Sequence, residues 1–381
     1  MRPGRTRLMF GVLAGFASAS APALDFTLGL GPVFECQGDG PALRAASLAL
    51  LEPTAVLRIR EYGARTYDPE SGENLGVGVG YADVTAPVGQ FCLGAFYRND
   101  YVGQASKDAL DALVANRAGR PFDVGRTYDL EVESTWLESA GLKLSYVYGL
   151  EPGPGWSLQL GVTASLMKAL SLRDEALRGV ATATSGDYAV GTARLTRSIS
   201  DYPRKEFNPY VGKADPDGYG FAADIGAVLQ SAAGWVTEFT VMDAYSRLDW
   251  EDVPQSVERA DNQTIRYDAN LNREAFVQGV DRRVNLTQPL EPRFRLSQDM
   301  PLRRGFTMIL SDDYVYETHF PAIAVRRQWS NAVAELGYDT RTHAVSADWR
   351  WAWLTVSITS NDVDFGDATV LGAGLQFASR W

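Results

Sequence analysis

The sequence predicts an all-β chain that closes into an antiparallel, membrane-spanning barrel of about fourteen to sixteen strands. Three observations predict it. Period-two alternation of apolar with small or polar residues recurs along most of the chain, as in Trp156, Leu158, Leu160, Val162, Ala164 and Leu166. The opposite face is rich in Gly, Ala, Ser and Thr rather than in long Lys and Glu. That suits a concave inner wall better than the water-facing side of a sandwich. The alternating runs are about nine to eleven residues long, which matches a tilted crossing of the hydrocarbon layer. Closure leaves no strand edge in lipid.

The bulk properties agree. A chain of 381 residues can be two ordinary domains or one barrel. The net charge of −11 and a pI near 4.8 argue against nucleic acid as a partner, because phosphate recognition needs basic patches. No internal run reaches the ~18 apolar residues of a membrane helix. A mean hydropathy of −0.17 is compatible with a barrel, whose strands are only half apolar. Aromatic residues make up 11% of the chain, enough for interfacial girdles.

The N-terminus reads as a secretory signal peptide. Arg2, Arg5 and Arg7 supply its charge, Leu8 to Phe16 its apolar stretch, and Ala17-Ser18-Ala19 and Ala21-Pro22-Ala23 two candidate cleavage sites. Residues 1–23 are therefore set aside, and 24–381 are read as a single barrel domain. Two cysteines follow, Cys36 and Cys92. In an oxidising compartment they are a candidate disulfide, the alternative being two separate buried thiols.

Along the mature chain, Leu24 to Phe34 alternates as a strand. Pro41 to Leu51 has the look of a helix stopped by Pro53, and Leu57 to Tyr62 that of a strand. Leu75 to Tyr81 and Phe91 to Arg98 form a glycine-rich hairpin. Ser106 can cap a short helix running to Gly119, a loop or plug element.

From Thr127 to Met167 the pattern is laid out as a three-stranded meander, with turns at Ser139–Gly141 and Glu151–Gly155. In that layout Glu133 lies diagonal to Lys143. Leu177 to Ser200 gives two strands split near Ser185–Asp187. Gly218 to Trp250 is a second clear hairpin, in which Asp224 lies diagonal to Glu238 and Asp243 falls out of phase on the apolar face. Glu251 to Pro289 is polar without clean alternation and reads as a long loop or a plug. Seven further strands follow between Arg293 and the C-terminus. No 20–50-residue repeat is present, which rejects a propeller or solenoid.

The last stretch, ATVLGAGLQFASRW, places Leu371, Ala373, Leu375 and Phe377 on one face, ends on Trp381, and carries Gly372, Gly374 and Gln376 on the other. It resembles the C-terminal signal of Gram-negative outer-membrane barrels, in which a terminal aromatic strand is read by the barrel-assembly machinery. On that resemblance Leu375, Phe377 and Trp381 are the expected assembly signal. Ser379 departs from the pattern, which usually has a bulky residue there.

The strand GYGFAADIGAVLQ (Gly218–Gln230), its partner from Trp235 and the Pro-initiated strand at Leu290–Pro301 resemble the FadL-like group, which includes fatty-acid transporters and TraF/PorV-type barrels. The resemblance covers the C-terminal half. It implies about fourteen strands and, in the transporters, an N-terminal hatch in the lumen.

Site chemistry is sparse. His343 and Ser346 are three apart, on opposite faces of any strand. His319 sits near Asp312, Asp313 and Glu317 in what reads as an exposed turn. Asp215–Gly218 and Asn361–Asp367 are oxygen-rich turns without the order of an EF-hand loop. No nucleotide, dinucleotide or GxSxG motif is present, and neither a cofactor nor a metal is expected.

The expected lumen-facing charges are Asp129, Glu131, Glu133, Lys143, Asp224 and Glu238. They give either a cation-favouring channel surface or mutually paired and solvated side chains. The expected function is a passive channel or transporter in the outer membrane, with hydrophobic small molecules as the expected cargo class and the permeant itself unassigned. The alternatives are a structural barrel of an envelope secretion or conjugation assembly, and an outer-membrane hydrolase. Outer-membrane lipid and the assembly machinery are the expected partners, and nucleic acid is not.

Overall fold

The computed structural model describes residues 42–51, 73–118, 121–186, 188–200, 216–267, 273–351, 353–363, 368 and 370–378. The expected signal peptide, the strands at Leu24–Phe34 and Leu57–Tyr62, Cys36, Ser379 and Trp381 lie outside them, while Ala42–Leu51, the segment placed where an N-terminal hatch was expected, is a strand of the wall. Cys92 is disulfide-bonded and 4% exposed.

Fourteen antiparallel strands close into a barrel, the strand number that the resemblance to the FadL-like group implies. They are β1 (Ala42–Leu51), β2 (Glu73–Val88), β3 (Phe91–Ser106), β4 (Thr127–Gly153), β5 (Trp156–Ser185), β7 (Asp217–Ser231), β8 (Val236–Tyr267), β10 (Arg293–Pro301), β11 (Phe306–Val315), β12 (Thr318–Gln328), β13 (Ala332–Asp339), β14 (Val345–Trp351), β15 (Leu354–Ser360) and β16 (Val370–Ala378). The two ends of the path meet directly. β1 lies between β16 and β2, with Leu43 opposite Phe377 on one side and Val84 on the other. Closure gives both neighbours' backbone groups partners and leaves no edge.

This corrects the helical reading of Pro41–Leu51. Ala and Leu favour helix locally, but ladders on both sides satisfy every peptide group of β1, and that tertiary gain overrides propensity.

Two strands stand outside the closed wall. β6 (Tyr188–Ile199) and β9 (Arg273–Gln288) join the upper parts of β4, β5 and β8 in an extension beyond the barrel. β5 pairs with β7 up to Ala169 and with β6 from Arg173. β8 leaves β7 after Glu251 and continues against β9 and β6.

Glu251–Pro289 is therefore mostly a strand pair rather than a loop or plug. The expected turn at Ser139–Gly141 is absent: β4 runs unbroken for 27 residues. A bulge between Glu138 and Ser139, where β5 carries Leu170 as an extra residue, replaces it. Gly141 is needed because the chains pack closely there; a Cβ on it would lie 2.0 Å from the Leu166 carbonyl oxygen.

The helix expected after Ser106 forms. It is α1 (Lys107–Ala118), and the Ser106 hydroxyl accepts the Ala109 N–H at 3.2 Å. It packs on β4 and β3 with Leu110 fully buried.

The outer wall is apolar. Leu144, Leu160, Val162, Ile225, Leu296, Val325, Leu336, Val356 and Ile358 all point outward and are 41–60% exposed. Aromatic rings rim this band. At the short-turn end stand Trp156, Trp235, Trp329, Trp349 and Trp353; at the opposite, long-loop end stand Tyr219, Tyr245, Phe294 and Tyr338. From Trp235 to Tyr245 β8 climbs about 33 Å along the strand, roughly 25 Å of height at the tilt of such barrels. On β16, Leu371, Ala373 and Leu375 face out, while Gly372 and Gln376 are buried within.

Candidate functional site: a charged neck inside the barrel

The interior is not an open bore. Inward positions of β3 run Cys92, Gly94, Phe96, Arg98 and Asp100, all following the alternation of burial along that strand. Arg98 reaches across the interior to β8, where its two terminal nitrogens donate to Asp243 at 2.8 and 2.6 Å. Its Nε donates to Asp100 on its own strand. Asp100 accepts a second guanidinium, that of Arg293 on β10, at 2.5 Å. Arg98, Asp100, Asp243 and Arg293 are 6%, 5%, 1% and 3% exposed. Arg98 and Asp243 approach each other although β4, β5 and β7 stand between their strands in the wall.

A local irregularity makes this possible. Ala223 pairs with Tyr245, but Ile225 pairs with Val241, so Met242, Asp243 and Ala244 oppose the single residue Asp224. This bulge turns Asp243 off the outward face that its parity would give it. Its φ of +54° is left-handed, a conformation that Asp tolerates better than most residues. The Asp243 N–H is held by Asp224 Oδ1 at 2.8 Å.

A second charged group lies beside the first. Asp83 on β2 accepts Arg44 of β1 at 3.1 Å and Lys143 of β4 at 2.5 Å, and Tyr81 also donates to it. Residues of both groups line a partly open cavity of about 50 Å³, room for a few waters. Its charged lining is Arg44, Arg98, Lys143, Arg293, Asp224 and Asp243. With Asp83 and Asp100, four cations and four carboxylates meet here and their formal charges cancel. Buried charges are tolerated when paired and hydrogen-bonded in this way.

Apolar clusters flank the neck. On one side Val77, Val79, Val315, Phe320, Ala344 and Val370 pack together from β2, β11, β12 and the strands beyond, with Tyr316 and Met242 against them. On the other, Phe96, Met167, Leu172, Ala222, Leu248 and Trp250 form a larger one, with Tyr81 against it. Phe96, Met167, Ala222, Val79 and Met242 from these clusters also line the cavity.

The expected lumen residues divide. Lys143 and Asp224 are at the neck. Glu238 is on the inner face nearer the short turns, opposite Val228 and Ser297, and not beside Asp224. The turn at Ser231–Trp235 pairs Gln230 with Val236 and so carries Glu238 away from the bulge. Asp129, Glu131 and Glu133 are corrected: they belong to the extension, where β5 has left β7, and Arg178 of β5 pairs with Glu131 and Glu133. Glu133 is not near Lys143, because β4 continues straight where a turn was expected.

Arg44, Asp83, Arg98, Asp100, Asp243 and Arg293 were missed as site residues. The out-of-phase Asp243 was the available signal, since a charge on an apolar face marks a bulge as readily as a weak strand end.

The histidines face away from the interior. His319 Nδ1 contacts Asp312 Oδ2 at 2.7 Å on the outer wall, beside Tyr314 at the long-loop rim. His343 contacts the Tyr338 hydroxyl at 2.7 Å. Asp217 of the first oxygen-rich turn pairs with Lys168 at 3.1 Å. Among the described residues no group of three or more His, Cys, Asp or Glu is placed to hold a metal. No helix among them is long and apolar enough to cross a membrane, which says nothing about strands.

No protein-family model and no curated protein matches the chain. Among solved structures, a "TodX deltaS2S3 mutant monoaromatic hydrocarbon channel" is similar over 92% of both chains, with 8% identity and a TM-score of 0.47. The Ralstonia pickettii toluene transporter TbuX is similar over 90% of both chains, with 10% identity and a TM-score of 0.27. The P. putida toluene transporter TodX covers 90% of this chain and 89% of its own, also at 10% identity and 0.27. At these values nothing is carried over from those proteins to this chain.

Proposed function

We propose that the chain is an outer-membrane transporter for small apolar or amphipathic molecules, closed at rest by the Arg98–Asp243 and Arg293–Asp100 pairs. The observation that carries this reading is a neutralised charged neck packed beside two apolar clusters that share its cavity. An ion channel needs a continuous wet path lined by uncompensated or weakly held charge. Here the neck charges hold one another, and the space beside them is lined by Phe96, Met167, Val79 and Met242. A permeant with an apolar body would gain by leaving water for the clusters, and would have to displace or separate the ion pairs to pass.

The outer band supports the membrane reading. Its aromatic rims lie at about the height of a hydrocarbon layer, and both described ends of the barrel path, at Ala42 and Ala378, lie at the short-turn rim, the periplasmic side in this architecture.

The test is uptake by proteoliposomes. Protein-bearing vesicles should take up a small aromatic or amphipathic probe faster than protein-free ones while remaining tight to small ions. Equal probe uptake with and without protein would remove the transport reading.

A structural role in an envelope assembly is the second reading, and the extension built from β4, β5, β6, β8 and β9 is the observation that favours it. Such a role predicts no uptake and a partner that is lost when the extension is trimmed. A hydrolase would need its His–Asp contact in a cleft; the His319–Asp312 pair stands on the outer wall instead.

A further inference from the structure

A group of three arginines at the short-turn rim has no role in the neck. Arg303 and Arg304 form the turn between β10 and β11, and Arg327 lies on the outward face near the end of β12. The two segments are neighbours: Phe306 pairs with Arg327, and a Cβ on Gly305 would lie 3.4 Å from the Gln328 carbonyl oxygen. All three side chains are exposed. None is within ion-pair distance of a carboxylate among the described residues.

Their depth is set by the wall. The outer face of β12 reads Ile323, Val325, Arg327 and then Trp329, so the arginine follows directly on the apolar band and precedes the ring of the girdle. The Arg327 guanidinium lies 4.9 Å from the centroids of both Phe306 and Trp329. Cation–π contacts of this kind hold it at the interface without neutralising it. Arg304 keeps a left-handed φ of +64° next to Gly305 at +76°, where most L-residues are disfavoured.

The opposite rim differs. There two outward cations are neutralised locally, Lys168 by Asp217 and Arg247 by Asp249. In a chain of net charge −11, an uncompensated cluster of three cations confined to one rim is a selective feature.

We propose that Arg303, Arg304 and Arg327 bind the phosphate of an anionic glycerophospholipid in the leaflet that meets the short-turn rim. Guanidinium groups match phosphate oxygens bidentately, Trp329 and Leu302 offer apolar surface for the acyl chains, and nearby basic residues add attraction for an anionic surface. Phosphatidylethanolamine carries a compensating ammonium and gains less from three unpaired cations. This rests on the membrane reading above, not on the transport reading.

The experiment is native mass spectrometry of the full chain in neutral detergent, offered equimolar phosphatidylglycerol and phosphatidylethanolamine, with insertion into phosphatidylcholine vesicles measured alongside. Wild type should retain phosphatidylglycerol over phosphatidylethanolamine by about tenfold. R303Q/R304Q/R327Q should bring the two to parity, and R303Q/R304Q, which leaves the strand wall untouched, should remove most of the preference. Equal retention of both lipids by wild type overturns the proposal, as does an undiminished preference in the triple variant. Failure of wild type to insert into any vesicle overturns the membrane reading and this proposal with it.

Discussion

Arg98 on β3 and Asp243 on β8 meet guanidinium to carboxylate, at 2.8 and 2.6 Å, across the inside of a barrel whose wall separates them by three strands. The contact is a chord through the interior. With Arg293–Asp100 it ties β3 to β8 and β10 beside a small cavity.

Breaking one half of a buried pair leaves the other charge uncompensated, at a cost of about 3–5 kcal/mol. R98A or D243A alone should therefore lower the guanidinium midpoint of the protein in detergent strongly. R98M/D243L, which removes both charges and keeps the volume, should recover most of that loss. A double variant as unstable as either single one would show that the loss comes from removing the pair itself and not from an orphaned buried charge.

Gly218 faces Trp250 on the neighbouring strand, and a Cβ there would lie 2.7 Å from the indole ring. Trp250 is 1% exposed and sits in the larger interior cluster. G218V should cost about 1–3 kcal/mol by overpacking, seen as a lower midpoint and a shifted tryptophan emission. G149V, at a glycine whose Cβ meets nothing within 4 Å, is the matched control and should be nearly neutral.

The carboxyl of Asp108, at the start of α1, is held below its ordinary 3.8, chiefly by hydrogen bonding to Arg126. A lowered folded value means that this contribution is fully present above the unfolded value and is lost as pH falls through the folded one. Hydrogen exchange in residues 107–118 should then rise below about pH 4 while the barrel strands stay protected. D108N should remove most of that acid dependence. The group is exposed and screened, so the effect is local.

β16 closes the barrel between β15 and β1, and Phe377 stacks on Trp353 with ring centroids 5.8 Å apart. L375S/F377S places two hydroxyls on the outward side of the closing strand. The variant should show a smaller fraction of the compact, heat-modifiable form on unboiled gels, and slower assembly in cells if Leu375 and Phe377 act as the assembly signal.

The parts of the fold that were legible are those where a local pattern and the closed sheet agree. β7 and β16 alternate, and their inward and outward faces fall where the alternation puts them. The helix after Ser106 was legible from its cap. The misreadings have separate physical causes. Ala42–Leu51 has a helix-forming composition that pairing on both sides overrides. Ser139–Gly141 resembles a turn, but small residues serve equally well where strands pack closely, and at Gly141 the Leu166 backbone leaves no room for a Cβ. The extension strands after Glu251 meet water on much of their surface and so lack apolar alternation.

The neck was illegible for a different reason. Arg98 and Asp243 are 145 residues apart, and only barrel closure and the three-residue bulge at Met242–Ala244 bring them together. A period-two reading assigns each residue to a face. It does not say which inward residues meet across the lumen.

If these ion pairs keep the barrel shut, removing them opens it. Single-molecule conductance in planar bilayers tests it most directly, comparing wild type with R98A/R293A. Wild type should be essentially non-conducting at moderate voltage, and the double variant, freed of both bridging guanidiniums, should show discrete open events. A wild type that conducts as freely as the variant would contradict it.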